Sequence, residues 1–472
     1  VAAVGLGRGN SRYLDDVTSR PQALSSEFVV SLQQVVGDAH VLTDDLAGYG
    51  TDWTGRFIGT PSVVVRPANT SEVSHILQLC SKFNIAVVPQ GGNTGLVGGT
   101  LASEGHVIVS TLRLNSLGPV DAVSQQISVG AGATVEQVQE AAKQFGLRYA
   151  VDFGARGSAT IGGTIATNAG GINVLRFGST RHQVVGIEAV LPNGDVIEHM
   201  AGLIKDNTGY DIASLLCGSE GTLGIVTAAR LRLLPLHTFR TTVLLGCGST
   251  EEVVHVVQGV RQKFDSLDAA ELFYADGANL VAEAFNVVIP FVAPVYLLLE
   301  FSADVDLASD IERHLAQSNF AGLSAVAQDE MGRAKLWRLR EEHTAAISTH
   351  GVPHKFDVTV AVSDLPEFIV KTRQRIFETN ADWTVVIFGH AADGNMHVNV
   401  LGPSATDELV DEVVLQVVAE FKGSISAEHG IGSAKKKWLS LSRSHNEIVM
   451  MKAIKGAIDP QGLMNPNTLF AN

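Results

Sequence analysis

Glycine is distributed so unevenly in this chain that the fold has to be built around it. Three stretches, Pro89–Gly99, Gly154–Gly178 and Gly218–Gly224, hold 15 of the 47 glycines in 43 of the 472 residues. Glycine reaches backbone conformations closed to other residues and lets another surface approach closely. The first loop, Pro89-Gln90-Gly91-Gly92-Asn93-Thr94-Gly95-Leu96-Val97-Gly98-Gly99, follows the short strand Ala86-Val87-Val88. Its N–H groups form a cradle suited to a diphosphate, with Asn93 and Thr94 as added donors. It is neither a Walker A loop, since no Lys-Ser/Thr follows, nor a G-x-G-x-x-G fingerprint. The second, Gly157-Ser158-Ala159-Thr160-Ile161-Gly162-Gly163-Thr164-Ile165-Ala166-Thr167-Asn168-Ala169-Gly170-Gly171, is too small in side chain to build a core and suits a flat ligand against the backbone. The third, Gly218 to Gly224, turns into the strand Ile225-Val226-Thr227, whose edge suits a base or ribose. One glycine loop is often only a turn. Three together point to a long, phosphate-containing cofactor in extended form. Val4-Gly5-Leu6-Gly7-Arg8-Gly9 imitates a dinucleotide loop without a preceding strand and reads as a flexible terminus.

The half that carries these loops reads as α/β. Asn69 caps a helix with Glu72 in its first turn, Val135–Phe145 has helical spacing, and Pro192-Asn193-Gly194-Asp195 is a hairpin signal. Near Pro235 glycine thins and longer helices begin. Ser249-Thr250-Glu251-Glu252 reads as a capping box opening a helix. Tyr296–Phe301 reads as a strand, and one long helix is expected from Asp329 to Thr349. The expected organisation is a cofactor domain over 1–235 and an α+β substrate and metal domain over 236–425. That second domain has an antiparallel sheet with helices on one face. A C-terminal segment, 426–472, returns to the first domain.

Histidine is uneven too: seven of fifteen lie between His343 and His445. Thr384–His390 and Met396–Val400 read as strands around Asp393-Gly394. A two-residue turn there pairs His390 with His397 on one face, a two-imidazole clip for a metal, with Asn399 pointing the same way. Ser426-Ala427-Glu428-His429-Gly430-Ile431-Gly432 supplies a carboxylate and a further imidazole. Two His and one carboxylate leave coordination positions open, as in a catalytic site. The three lysines from Lys435 read as a solvated run. Composition removes other classes. A net charge of −15 excludes a duplex nucleic-acid binder, and Cys80, Cys217 and Cys247 form no disulfide framework, thiolate zinc site or iron–sulfur motif. Neither a signal peptide nor a spanning helix is legible.

The order and wording of the glycine loops resemble the FAD domain of the vanillyl-alcohol-oxidase/p-cresol-methylhydroxylase superfamily. GHAADGNMHVN and SAEHGIG resemble the C-terminal domain of the FAD-linked 2-hydroxy-acid dehydrogenases, with Ala392 where the family usually has Gly. PQGGNTG is similar to the D-2-hydroxyglutarate dehydrogenase subgroup rather than to lactate and glycolate relatives. The likeness runs from about residue 60 to Asn465. It implies an α+β chain with a two-part FAD-binding domain. In that likeness Gly91, Gly92, Asn93, Thr94 and Gly95 hold the pyrophosphate, and Pro89, Gly98 and Ser158 are further cofactor contacts. Gly162, Gly163, Thr167 and Asn168 line the isoalloxazine, Gly224, Ile225 and Val226 meet the adenosine end, and Asn465 lies near the flavin. With no His or Cys within the loops, the FAD is expected to be non-covalent. The resemblance further implies His390, His397 and Glu428 as ligands of Zn2+ or another divalent metal, and His429 as base. It implies Arg340, Thr344, Lys355, Asn399 and His429 as substrate contacts. The expected reaction is oxidation of a D-2-hydroxy acid to the 2-oxo acid, with D-2-hydroxyglutarate preferred over D-lactate or D-malate. Electrons leave to a partner such as an electron-transfer flavoprotein or a quinone. The expected setting is cytoplasmic, or the mitochondrial matrix in a eukaryote, with a homodimer as one option for the assembly. Glycolate oxidation, ether-lipid synthesis on the same fold, a metal-dependent hydrolase and a non-catalytic flavin scaffold are the alternatives.

Overall fold

The computed structural model describes residues 24–317, 322–404 and 406–471, and the Val4–Gly9 decoy lies outside them. Val63–Val65, Val107–Ser110 and Val87–Gln90 pair in parallel, with Val41–Leu42 antiparallel at one edge. The crossover helix is Thr70–Phe83. Asn69 opens it by accepting from the Glu72 N–H at 2.9 Å, and Asn84 closes it in the left-handed conformation. Its Val73, Ile76, Leu77 and Cys80 are buried, the one-sided apolar stripe of a surface helix. A second sheet, antiparallel, has the order Leu117–Asp121, Gln126–Gly130, Ile225–Arg232, Val184–Val190, Val196–His199. Its last two strands join through Asn193-Gly194, where Gly194 takes φ +88°. One continuous core draws Val63 and Val109 from the first sheet and Ile127, Ile187 and Leu231 from the second.

The back half is a seven-stranded antiparallel sheet. Its order is Ser324–Ala327, Phe239–Cys247, Val295–Ala303, Leu267–Tyr274, Thr384–His390, Asn395–Leu401, His354–Thr359. Along Val295–Ala303, Leu297, Leu299 and Phe301 bury against one layer, which includes helices Thr250–Lys263, Leu365–Thr379 and Leu409–Glu420. Tyr296 and Leu298 bury against another, which includes Ala275–Phe285 and Glu330–Glu341. Helices therefore cover both faces, not one. The unalternating run Val-Tyr-Leu-Leu-Leu is what a doubly covered strand requires. The single helix expected over 329–349 is two, Glu330–Glu341 and His343–Ser348. At the break His343 packs against Phe273 and Phe388, with centroids 5.3 and 4.8 Å away.

The tail lies along the strand that feeds the first glycine loop. Met464 bridges Val87 in parallel, with Val87 N to Leu463 O and Asn465 N to Val87 O both 2.8 Å. Among the described residues no helix is long and apolar enough to cross a membrane.

Candidate active site

The three glycine loops touch one another. A Cβ on Gly92 would lie 1.9 Å from the Ser158 carbonyl oxygen, and one on Gly91 2.2 Å from Thr160 Oγ1. The first loop thus rests on the second at a distance only glycine allows. The third folds back on both. Gly218 N and Glu220 N donate to Ile165 O and Ala166 O, and Gly221 at φ +69° lies against Pro89. From Gly91 to Gly95 no N–H finds an acceptor among the described residues, and a Cβ on Gly95 would meet nothing within 4 Å. A row of unspent donors beside open space is the makeup of an anion cradle.

Two expected cofactor side chains are otherwise engaged. Asn93 staples its own loop: Nδ2 donates to Thr51 O and Oδ1 accepts from Thr100 Oγ1, both at 2.8 Å. Asn168 Oδ1 accepts from Ser179 Oγ and Arg181 N at 3.0 Å. Asn93 thus has both side-chain ends engaged, whereas Asn168 keeps its Nδ2 to offer a ligand. Ile225 and Val226 are buried in the strand paired with Val190 and Ala189. Asn465 Nδ2 joins the first and third loops through Gly99 O and Glu220 O, both at 2.8 Å, while its Oδ1 is buried without a partner.

The histidine hairpin differs in register from the expectation. His390 pairs with Asn395 and Phe388 with His397, so the connection is 391–394 and not a two-residue turn. Gly394 N closes on His390 O at 3.2 Å, an i to i+4 turn, and Gly394 at φ +81° is pressed onto Val360 O. The displacement is by an even number of residues, so the two imidazoles keep the same face as diagonal neighbours, centroids 5.5 Å apart. Ala392 is absent from the positive-φ residues, so its extra methyl needs no strained backbone. The same face carries Glu271 opposite His390, Asp357 opposite His397 and Lys355 opposite Asn399.

Each imidazole has a buried carboxylate behind it. Glu271 Oε1 lies 2.6 Å from His390 Nδ1, and Glu271 Oε2 accepts from Arg340 Nε at 2.7 Å. Asp357 Oδ1 lies 3.5 Å from His397 Nδ1. Asp357 Oδ2 accepts from the N–H groups of Glu428 and His429 at 2.7 and 2.9 Å. Burial opposes charge on His390, but Glu271 outweighs it and lifts the pKa to about 9. Burial holds His397 well below its usual range despite Asp357. Burial also lowers His429, with Asp357 acting against it and Lys435 and Lys355 adding to it. Glu428 is raised by burial. Its Oε1 accepts from Gly171 N at 2.9 Å and lies 3.9 Å from His390 Nε2. Glu428 thereby joins the second glycine loop to the histidine hairpin. Glu220 adds a second link, accepting from Ile431 N and Gly432 N at 2.8 and 2.7 Å.

A family model described as FAD linked oxidases, C-terminal domain, matches residues 236–469, and one described as FAD binding domain matches 61–199. A D-2-hydroxyglutarate dehydrogenase of Xanthomonas citri pv. viticola is 39% identical over 459 residues, 94% of this chain and 96% of that protein. The chain belongs to the FAD-linked oxidases of the D-2-hydroxyglutarate dehydrogenase family. The mitochondrial member from Bos taurus is 34% identical over 94% of this chain and 83% of its own. Two solved structures share the fold, both with TM-score 0.74. An alkyldihydroxyacetonephosphate synthase is 17% identical over 95% of this chain and 86% of its own, and p-cresol methylhydroxylase 16% over 93% and 96%.

The residues present fit the cofactor this family implies. Unspent donors line the first loop, and the orphaned Asn465 Oδ1 lies where the loops converge. A divalent cation also fits. With Nδ1 of both His390 and His397 turned to a carboxylate, Nε2 is left free, the arrangement usual behind metal-bound imidazole. The tightest metal-capable group is Asp357, His397 and His429, within 4.8 Å. Asp357, however, has already spent its oxygens on Asn395 Nδ2 and two backbone N–H groups, which makes it a holder of ligands more than a ligand.

In this FAD-linked oxidase, Arg340 is buried, its Nε committed to Glu271 and its guanidinium 4.6 Å above Phe388. Asn399 is buried with long contacts to Val386 O and His397 O. Thr344 is half-buried four residues past Arg340 and makes no side-chain hydrogen bond among the described residues. Lys435 corrects the reading of a solvated run. It is buried, donating to Ile425 O at 2.8 Å and Asp357 O at 3.4 Å. The residues missed in the sequence are Glu271 and the anchoring role of Asp357. The available signal was a charge inside an apolar strand, Ala269-Ala270-Glu271-Leu272-Phe273.

Proposed function

We propose that this enzyme oxidises D-2-hydroxyglutarate, with D-lactate and D-malate as poorer substrates, to the 2-oxo acid, using non-covalent FAD and a divalent metal such as zinc. The single observation that carries the reading is the Glu428 to Gly171 hydrogen bond. It brings the cofactor loops and the imidazole pair to one spot. When bound, FAD supplies the hydride acceptor and the cation supplies Lewis-acid polarisation of the substrate hydroxyl. His390, His397 and Glu428 hold the cation in this reading. His429, kept neutral by burial, takes the hydroxyl proton, a contribution typically worth about 10²–10⁴-fold. Arg340 turns its two unspent nitrogens to a substrate carboxylate while Glu271 fixes its Nε. Lys355 receives a second carboxylate, with Asn399 beside it on the neighbouring strand.

Cys217 is buried and its thiol is pushed up to about 11, which suits a flavin held without a thioether. Electrons then pass to a separate acceptor, a flavoprotein or quinone, in the cytoplasm or the mitochondrial matrix; the enzyme can act as a homodimer. The test is anaerobic titration with D- and L-2-hydroxy acids, following flavin bleaching. D-2-hydroxyglutarate is expected to bleach at the lowest concentration. Retained flavin that no D-2-hydroxy acid reduces would sink the reading and favour non-redox chemistry.

A further inference from the structure

The segment from Ala47 to Ile58 belongs to the cofactor half but reaches across to the substrate sheet. Thr51 pairs with Ile58, and the buried Asp52 closes the loop from inside. Its carboxylate accepts from Thr54 Oγ1 at 2.8 Å and from Phe57 N at 3.2 Å. At the loop's far side Arg56 Nη2 meets Asp411 Oδ2 at 3.1 Å, and that same oxygen faces His354 Nδ1 at 3.2 Å. His354 immediately precedes Lys355. At its near side the loop is tied to the cofactor cradle by Asn93 Nδ2 on Thr51 O. Trp53 sits between these anchors. It is 55% exposed, and the Lys355 ammonium lies 5.0 Å from its ring centroid.

The Lys355 side chain makes no ion pair or hydrogen bond among the described residues; burial lowers its pKa, with the Asp52 carboxylate acting against that. The nearby Asp52 carboxylate attracts the ammonium without pairing with it, being engaged by Thr54 and the Phe57 N–H, so a half-buried ammonium remains open to an incoming anion. Its location sets which anion. Along the strand it stands two residues from Asp357, about 7 Å outward from the reaction centre on the same face, and its cross-strand neighbour is Asn399. With a C1 carboxylate held at the centre, as in the proposed reaction, the group that would reach Lys355 is the distal one of a diacid. Among the described residues, the indole of Trp53 is the neighbour placed to orient the ammonium.

We propose that Trp53 is a positioning residue for substrate selection: it seats the Lys355 ammonium and so favours 2-hydroxy acids that carry a second, distal carboxylate. This rests on the reading of Lys355 as the distal-carboxylate site. The test compares W53A, W53F and K355M holoenzymes on D-2-hydroxyglutarate and on the monoacid D-2-hydroxybutyrate. In W53A, KM for the diacid should rise about fivefold, with little change for the monoacid, unchanged kcat on both, and full flavin content. W53F should fall between. Equal rises for both acids, or no rise in KM for the diacid, overturn the proposal. Discrimination lost in K355M but intact in W53A overturns the role of Trp53 alone. Discrimination intact in K355M overturns the reading of Lys355 beneath it.

Discussion

Glu271→Gln tests whether the buried carboxylate orients the site. Glu271 is fully buried and makes two charge-assisted hydrogen bonds, 2.6 Å to His390 Nδ1 and 2.7 Å to Arg340 Nε. Glutamine matches the shape but offers one acceptor, and its NH2 faces a donor. One bond is lost outright, worth about 1.5–3 kcal/mol where a charge is involved. The Arg340 guanidinium is also left without its counter-charge, and breaking a buried pair costs about 3–5 kcal/mol in all. Stability to urea should fall within that range. Losing the partner of a metal-bound imidazole typically weakens metal binding about 10–100-fold. Chelator competition on the zinc-loaded enzyme should show such a loss. The kcat/KM for D-2-hydroxyglutarate should drop at least as far, because Arg340 loses its anchor as well. Flavin content should be unchanged, since Glu271 contacts His390 and Arg340 and not the glycine loops. A variant with metal affinity and kcat/KM within twofold of the parent would refute the view that Glu271 orients both residues.

The remaining predictions draw on other parts of the site. Gly92→Ala puts a Cβ against the Ser158 carbonyl, so the variant should purify with a markedly lower flavin-to-protein absorbance ratio while circular dichroism is preserved. Lys435→Met leaves Ile425 O and Asp357 O without their donor and removes a buried cation beside Asp357. Stability should fall by about 3 kcal/mol and turnover with it, while flavin stays bound. If Lys355 takes the distal carboxylate as proposed, binding requires its protonated form, whose pKa burial lowers from the usual 10.5 despite the Asp52 carboxylate nearby. KM for D-2-hydroxyglutarate should therefore rise with pH on the alkaline side, earlier than for a free lysine, and K355M should abolish that rise. His429→Asn should cut turnover with metal and flavin both retained, as measured by metal analysis and the flavin spectrum.

Much of the site could be read without coordinates because its chemistry demands particular residues in short local runs. A cradle for phosphate needs consecutive N–H groups and room, which only glycine-rich text supplies. The pair His390 and His397 survives an incorrect turn because an even displacement leaves side chains on their original face. What stayed hidden was contributed from far away in the chain. Glu271 lies 119 residues from His390, and Lys435 lies 78 residues from Asp357. Nothing local distinguishes Lys435 from Lys436 and Lys437 until the loop folds it inward. The coverage of the sheet on both faces was legible in Val295–Ala303 only through the missing alternation of polar residues.

The sequence by itself therefore determined the cofactor class and nominated a candidate set of reactive groups, because both reside in contiguous residue types. Tertiary structure alone decided the rest. It chose which carboxylate stands behind each imidazole and spent Asn93 and Asn168 on holding loops. It buried Lys435 and laid Trp53 over Lys355. The reason is physical. A charge or an amide is fixed in role by the partners it meets after burial, and strand register and long-range packing select those partners.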